Sequence, residues 1–266
     1  MLATRIVTAL VLGSTVTVAV LFLPTIAAAP LLGILWLLGS WEWAGLALWP
    51  QTARVAYAVL FALLMLGSLS VSPPPGASNI LLAVTVLVWL IAFYAILTFP
   101  RPTGAAMVSI SGLLLVLPSW VLLTYIHASA PLGPELSLTV LALVWAADVG
   151  AFVMGHWIGR HKLAPQISPG KTWEGVGGGV LLAVLVAVLI RALFGFALQW
   201  LMPLAIVVAL VSVVGDLTVS MLKRNAGVKD SSQLLPGHGG VMDRIDGLIA
   251  AIPFFALGLK VAGVLD

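Results

Sequence analysis

The chain contains no cysteine, which excludes a disulfide framework, a cysteine-ligated zinc site and a thiol nucleophile. Charge is also scarce. Asp, Glu, Lys and Arg make up 8% of the 266 residues, whereas soluble domains carry about a quarter. Hydrophobic residues make up 62%, and the mean hydropathy is +1.19. This composition excludes an ordinary soluble globular protein and indicates a polytopic membrane protein.

Apolar runs of about 20 residues, long enough to cross a bilayer as a helix, predict an all-α polytopic integral membrane protein with about nine transmembrane helices. Proline and glycine mark the breaks between the runs. The first run also resembles a secretory signal peptide, but it is long for one, and we favour a retained span. The predicted spans are 6–23, 26–48, 55–71, 79–98, 104–126, 135–158, 175–197, 201–222 and 247–265.

Basic residues are distributed unequally between the two sides of this predicted topology. Ten Lys and Arg residues fall on the side of the N-terminus, and only Arg191 and Lys260 fall on the other. Cytoplasmic loops carry the excess of Lys and Arg in membrane proteins. The bias therefore predicts a cytoplasmic N-terminus and two polar cytoplasmic loops, 159–174 and 223–246, that form a site together.

The segment from Ser220 to Asp246 holds seven of the 21 formal charges in 27 residues. Its carboxylates, Asp243 and Asp246, are three residues apart and share a helix face if the last helix begins early. The glycine-rich turn Pro236–Gly240, just before these carboxylates, lets backbone N–H groups approach an anion. Cations, backbone donors and carboxylates together suit a metal-bound polyphosphate.

A second helical face leads into this segment. Asp216, Ser220 and Lys223 follow one another at helical spacing, with Arg224 beside them. A basic loop that only sets the topology is the alternative interpretation. Asp216 argues against it, because an unpaired carboxylate inside an apolar span has no topological use, and acids in membranes are usually functional.

The other polar loop contains Gly170-Lys171-Thr172, which resembles the end of a P-loop. The motif requires glycine where Pro165 stands, and no strand is expected before it, so we reject a Walker fold. Lys171 and Ser168 can still meet a phosphate. The glycines at 175 and 177–179 favour close helix packing over ligand contact.

Isolated polar residues have two interpretations each. Asp148, inside an apolar span, fits a polar cavity and a structural hydrogen bond equally well. Glu42 stands between two tryptophans and is a less certain cavity candidate that also suits the headgroup region. His127 is assigned to the outer loop, and His156 is assigned a structural role. His238, in the glycine-rich turn, is the better functional candidate.

The charged motifs resemble the phosphatidate cytidylyltransferase (CDP-diacylglycerol synthase) family. The resemblance covers about 145–247, and before residue 140 the chain is similar to the family only in its membrane spans. The matching stretches are Ser220-x-x-Lys223-Arg224, Lys229-Asp230, Pro236-x-His238-Gly239-Gly240, Asp243-Arg244-x-Asp246, Lys162-Leu-Ala-Pro165, Ile167 to Gly175, and Asp148 with Gly150-Ala-Phe152.

The resemblance implies that CMP is transferred from CTP to phosphatidic acid, giving CDP-diacylglycerol and pyrophosphate for phospholipid synthesis. It also implies Mg²⁺ as one or two divalent ions, with a monovalent ion left open. The implied site residues are catalytic Ser220, Lys223, Arg224, Lys229, Asp230, His238 and Arg244, substrate-binding Asp148, Ser168 and Lys171, and metal-binding Asp216, Asp243 and Asp246.

The expected partners are CTP, phosphatidic acid and membrane lipids, and no nucleic acid. We expect one continuous membrane domain in the cell membrane, with N-terminal helices in 1–140, a catalytic region in 141–266 and the site facing the cytoplasm. Small-residue faces leave a homodimer open beside simple packing of the bundle.

Three other functions compete with this interpretation. A transporter also has many spans and buried acids, but here the polar clusters occupy only the second half of the chain. A CTP-using lipid kinase, such as one for polyprenol, would use the same phosphate chemistry. A membrane scaffold would leave the carboxylates without a purpose.

Overall fold

A computed structural model describes residues 2–70, 77–129, 131–234 and 239–265. Within these ranges, nine α-helices and one short β-hairpin form, and seven helices, α2 to α8, are long and apolar enough to cross a membrane. The protein is therefore a multi-pass membrane protein. The helices are α1 (Leu2–Phe22), α2 (Thr25–Leu46), α3 (Gln51–Ser70), α4 (Ala77–Leu97), α5 (Ala105–Ala128), α6 (Gly133–Ile158), α7 (Trp173–Phe194), α8 (Leu198–Asn225) and α9 (Met242–Val261).

Each helix begins and ends within five residues of a predicted span. The predicted spans were bounded by apolar length alone. The helices mostly begin earlier than the spans, over nearby polar residues, and turn residues mark some of their ends. Pro24 in an extended conformation precedes α2, and Gly195 follows α7 with a φ of 74°. That left-handed conformation is open to glycine at little cost, so it ends the helix cleanly.

Helix α9 is the centre of the bundle. It packs against α2, α4, α5, α6 and α8, and most of its side chains are buried. It begins at Met242, five residues before the predicted ninth span. Its first turns therefore carry Asp243, Arg244 and Asp246, and its apolar part is shorter than that of a usual span.

The loop between α6 and α7 folds into an antiparallel hairpin of β1 (Lys162–Ala164) and β2 (Ser168–Thr172), with Ala164 opposite Ser168. The expectation that no strand precedes Gly170 was therefore wrong. The strands are too short to show an alternating pattern. Glu174 closes the hairpin, since its carboxylate accepts hydrogen bonds from the backbone N–H of Arg160 and from His161.

Glycines let α6 and α7 approach closely, as predicted. A Cβ added to Gly178 would lie 2.3 Å from Met154 Cγ, and one added to Gly150 would lie 2.3 Å from the carbonyl oxygen of Gly178. Gly177, on the other face of α7, has nothing within 4 Å of such a Cβ. The glycine run therefore contains both packing positions and an open position.

The assignment of His127 to the outer loop was wrong. Helix α5 continues two residues past the predicted end of its span, so the imidazole is buried in the bundle. Its Nδ1 lies 2.9 Å from Thr25 Oγ1 and its Nε2 lies 2.9 Å from the carbonyl oxygen of Val20. The ring joins α5 to α1 and α2.

Candidate active site

A polar cavity of about 640 Å³ opens where the end of α6, the hairpin, the start of α7, the end of α8 and the start of α9 meet. Because consecutive helices run in opposite directions, these two ends and two starts lie on one side of the bundle. The charged residues that line the cavity are Asp148, Lys171, Asp216, Lys223, Asp230, Asp243, Arg244 and Asp246.

One face of α8 supplies the first wall of this cavity. Asp216 and Ser220 share the helix face that their four-residue spacing predicts, and Ser220 Oγ donates a hydrogen bond to Asp216 Oδ1 at 3.1 Å. Gly215 allows α9 to pass close by, because a Cβ there would lie 2.2 Å from the carbonyl oxygen of Asp246. This close crossing brings the carboxylates of Asp216 and Asp246 to the same cavity.

Two lysine–aspartate pairs hold the walls together. Lys171 Nζ, on β2, lies 2.6 Å from Asp216 Oδ2, on α8. Lys223 Nζ, on α8, lies 2.6 Å from Asp243 Oδ1, on α9. Both are ion pairs, and the Lys223–Asp243 pair is also a charge-assisted hydrogen bond, the stronger class in proteins. They join three separate elements of the chain around one opening.

Asp243 is satisfied by protein donors on both oxygens. Besides Lys223 on Oδ1, its Oδ2 accepts hydrogen bonds from the N–H and Oγ of Ser231 and from the N–H of Gly240. Burial by itself raises the pKa of this carboxyl, but the Lys223 contact and the backbone donors outweigh burial and lower the pKa below its usual range. Asp243 is therefore an ionised anchor for the segment that leads into α9.

Asp148, Asp216 and Asp246 form a second group of carboxylates. They line the same cavity and repel one another electrostatically, and Lys171 interacts with all three. Asp246 Oδ1 also accepts the N–H of Gly247 at 2.8 Å. Among the residues that the structure describes, no three His, Cys, Asp or Glu side chains converge into a complete metal-binding group.

Glu42, a less certain cavity candidate from the sequence, reaches the start of α9 from α2 and has a hydrogen-bonding role there. Its side chain is fully buried, not at a headgroup surface, and it accepts hydrogen bonds from the N–H groups of Val241 and Met242 at the start of α9. It also accepts hydrogen bonds from the hydroxyls of Ser231 and Ser232. A carboxylate at a helix N-terminus is stabilised by the helix dipole, so Glu42 fixes where α9 begins.

Four predicted site residues lie beside the cavity and do not line it within the described part of the chain: Ser168, Ser220, Arg224 and Lys229. Ser168 is on β2 opposite Ala164, and Ser220 is buried behind Asp216. Arg224 Nε donates to the carbonyl oxygen of Ile167 at 3.0 Å and so docks the hairpin on α8. His238 lies outside the described residues.

Sequence reasoning missed an aromatic pair on the cavity wall. Phe152 and His156 line the cavity, and their rings stack with 6.1 Å between centroids and an angle of 9° between planes. His156 was assigned a structural role because no second metal ligand stood near it in the sequence. Its spacing of four and eight residues from Phe152 and Asp148 was the signal that could have placed all three on one helix face.

Comparison with known proteins covers nearly the whole chain. The sequence model of the Cytidylyltransferase family matches residues 3–262. The chain belongs to this family. A phosphatidate cytidylyltransferase of Pseudomonas aeruginosa is 42% identical over 284 residues, which cover 99% of this chain and 98% of the relative. One of Brucella suis is 35% identical over 253 residues, covering 94% and 90%. The family match therefore includes all of the site residues and nearly the whole chain.

Proposed function

We propose that this protein transfers CMP from CTP to phosphatidic acid, producing CDP-diacylglycerol and pyrophosphate. One observation carries the proposal: a single open cavity in a membrane protein of the cytidylyltransferase family collects five carboxylates and three cationic side chains. The close relatives named phosphatidate cytidylyltransferase supply the substrate class.

The chemistry requires positioning and charge stabilisation more than proton removal. The nucleophile is an oxygen of the lipid phosphate, which is already ionised near neutral pH. It forms a bond to the α-phosphorus of CTP, and the bond from that phosphorus to the bridging oxygen of the β-phosphate breaks. Pyrophosphate leaves with the electron pair. Lys171, Lys223 and Arg244 line the cavity where negative charge accumulates, and they would stabilise it.

Substrate binding would rearrange the two lysine–aspartate pairs. Triphosphate and lipid phosphate oxygens would compete with Asp216 for Lys171 and with Asp243 for Lys223. Arg224 and Lys229, at the rim, would attract the anionic lipid headgroup. Ser168, Ser220 and Asp230 would orient the groups around them.

The carboxylates fit a divalent ion whose coordination shell is completed by oxygens of the substrate. Mg²⁺ is usually held by one or two carboxylates together with phosphate oxygens and water, so a complete protein cage is not needed. Asp216 and Asp246 face the cavity, and Asp148 lies with them. Asp243 can join as a ligand only if Lys223 moves away from it. When bound, Mg²⁺ would neutralise charge on the triphosphate.

The aromatic pair suits the nucleobase. A flat ring that faces a polar cavity can stack on the flat face of any nucleobase. Phe152 presents its ring to the cavity four residues from Asp148, and His156 adds hydrogen-bonding nitrogens beside it. We place cytosine against this pair.

We further propose nine membrane crossings, a cytoplasmic N-terminus and a site that faces the cytoplasm of the cell membrane. The excess of Lys and Arg on the cavity side supports this orientation, and CTP is a cytoplasmic metabolite. A tag at residue 230 that reacted only from outside would contradict it. A homodimer stays a prediction. The glycine faces of α6 and α7 pack against each other within one chain, so they give no support to a dimer contact.

The direct test is turnover by purified protein in mixed micelles that contain phosphatidic acid, CTP and Mg²⁺. We expect CDP-diacylglycerol to form, EDTA to stop its formation, and Asp246→Asn to abolish turnover without changing membrane insertion. Glu135→Gln, in the first turn of α6 far from the cavity, is the matched control and should stay active. Full turnover by Asp246→Asn at saturating Mg²⁺ would remove Asp246 from the metal-binding set.

A further inference from the structure

A second cavity, of about 350 Å³, lies beside the polar one. All of its lining side chains are apolar or aromatic, and they come from α4, β1, α7, α8 and α9. The residues that define it here are Trp89, Phe93, Trp173, Leu210, Val214 and Phe254, and we name this cavity the apolar groove.

The apolar groove is continuous with the polar cavity. Val176 and Val213 line both. Val213 precedes Asp216 by three residues on α8, which is about 4.5 Å along the helix axis. A molecule with an anionic head and an apolar tail would therefore place each part in a matching environment.

The groove runs from the hairpin end of the bundle into its apolar part. Along α8 it extends from Leu217 to Leu210, about 10 Å of a helix that is apolar enough to cross a membrane. Trp173, at the hairpin end, is exposed, as tryptophans at membrane interfaces commonly are. Phe93 and Leu210 are also exposed, so the groove is open at its side, where acyl chains of the bilayer would lie.

One wall of the groove holds a donor without an acceptor. Trp89 is buried, and its indole N–H has no hydrogen-bond partner among the described residues. Buried polar groups in folded proteins nearly always have a partner. An ester oxygen of a bound glycerolipid would be a suitable acceptor.

We propose that the apolar groove holds one acyl chain of the phosphatidate substrate while the phosphate of that lipid lies in the polar cavity. The proposal rests on the proposed function and adds to it a determinant of chain length. A chain seated in the groove would contribute to binding of the transition state as well as the substrate, so kcat/KM should depend on acyl length.

The test compares two valine-to-tryptophan variants. Val214→Trp fills the groove, and Val188→Trp places the same side chain on the exposed face of α7, away from both cavities. Phosphatidates with acyl chains of increasing length would be assayed at a constant surface concentration in mixed micelles. For the wild type and Val188→Trp we expect kcat/KM to rise with chain length by less than about fourfold per methylene, because that figure holds for transfer from water and the chain here leaves a micelle interior.

For Val214→Trp we expect this rise to be lost, while turnover of the shortest phosphatidate stays within about twofold of the control. An unchanged chain-length profile in Val214→Trp would overturn the proposal. Failure of the wild type on every phosphatidate would instead contradict the proposed function, so the two failures are distinguishable.

A second measurement covers the case in which Val214→Trp does not fold. A phosphatidate with a photoactivatable group at the end of one acyl chain would be irradiated with wild-type protein, and the labelled peptides would be mapped. Labelling of α4, α8 or α9 at the residues of the groove is the expected result. Labelling spread over the exposed faces of α3 and α7 would show only bulk lipid contact and would overturn the proposal.

Discussion

Glu42→Gln tests whether the N-terminal helices hold the catalytic segment in place. The Glu42 carboxylate accepts hydrogen bonds from the hydroxyls of Ser231 and Ser232 and from the N–H groups of Val241 and Met242. Glutamine keeps the shape but replaces one acceptor oxygen with an NH₂ group. A hydroxyl that meets this NH₂ can rotate to accept a hydrogen bond, but a backbone N–H cannot. One buried N–H would therefore lose its partner.

The magnitude follows from two losses. An unsatisfied buried donor costs about 1–3 kcal/mol, and removing a carboxylate from a partly buried helix N-terminus costs about 0.3–2 kcal/mol. A total of about 3 kcal/mol is expected. For a protein of this size each kcal/mol lowers the unfolding midpoint by roughly 2–4 °C. The Glu42→Gln midpoint should therefore fall by about 6–12 °C.

The assay is thermal unfolding of the purified protein in detergent, followed by the fluorescence of its ten tryptophans. Glu135→Gln is the matched control, because Glu135 Oε2 is buried without a hydrogen-bond partner among the described residues. Its midpoint should change by less than half as much. Equal shifts in the two variants would refute the reasoning that Glu42 anchors the start of α9.

Three further predictions concern packing, the nucleobase and charge. Gly178→Val should prevent recovery of monodisperse protein, because its Cβ would overlap a side chain of α6, whereas Gly177→Val should be tolerated; equal recovery of the two would contradict the packing. Phe152→Ala should raise the KM for CTP roughly tenfold, because the cytosine loses its stacking partner. Trp157→Ala, at an exposed neighbour outside the cavity, should leave the KM unchanged. Equal KM values in the two variants would contradict the placement of cytosine against Phe152. Lys223→Met should lower kcat by at least about a hundredfold in a steady-state assay, because a cavity cation is lost; a change in KM alone would speak against that role.

Contacts within one helix could be predicted from the sequence. Apolar length placed the helices, and the four-residue spacing of Asp216 and Ser220 predicted one shared helix face, on which they form a hydrogen bond. The charged segment was found because charge is costly in a membrane and is therefore informative where it clusters. Helical periodicity and the cost of burying charge act over short stretches of chain, so a single sequence shows them.

Contacts between distant elements could not be predicted. Glu42 accepts a hydrogen bond from Met242, which lies 200 residues later in the sequence. Lys171 reaches Asp216 only because the hairpin folds back over α8. The sequence shows neither how far two helices are rotated about their axes nor which ends meet. The predicted boundary between residues 140 and 141 also falls inside α6, a helix that continues through it. Its division of the chain into two regions stays a prediction.

The proposed nucleotidyl transfer is tested most directly by following each phosphorus of CTP separately. Purified protein would receive Mg²⁺, CTP labelled at either the α- or the γ-phosphorus, and either phosphatidic acid or polyprenol as the lipid, and label in the lipid phase would be measured. We predict that the α-label enters phosphatidic acid and the γ-label leaves as pyrophosphate. Transfer of the γ-label to a lipid alcohol such as polyprenol would identify a kinase, and no transfer of either label to any lipid would contradict nucleotidyl transfer altogether.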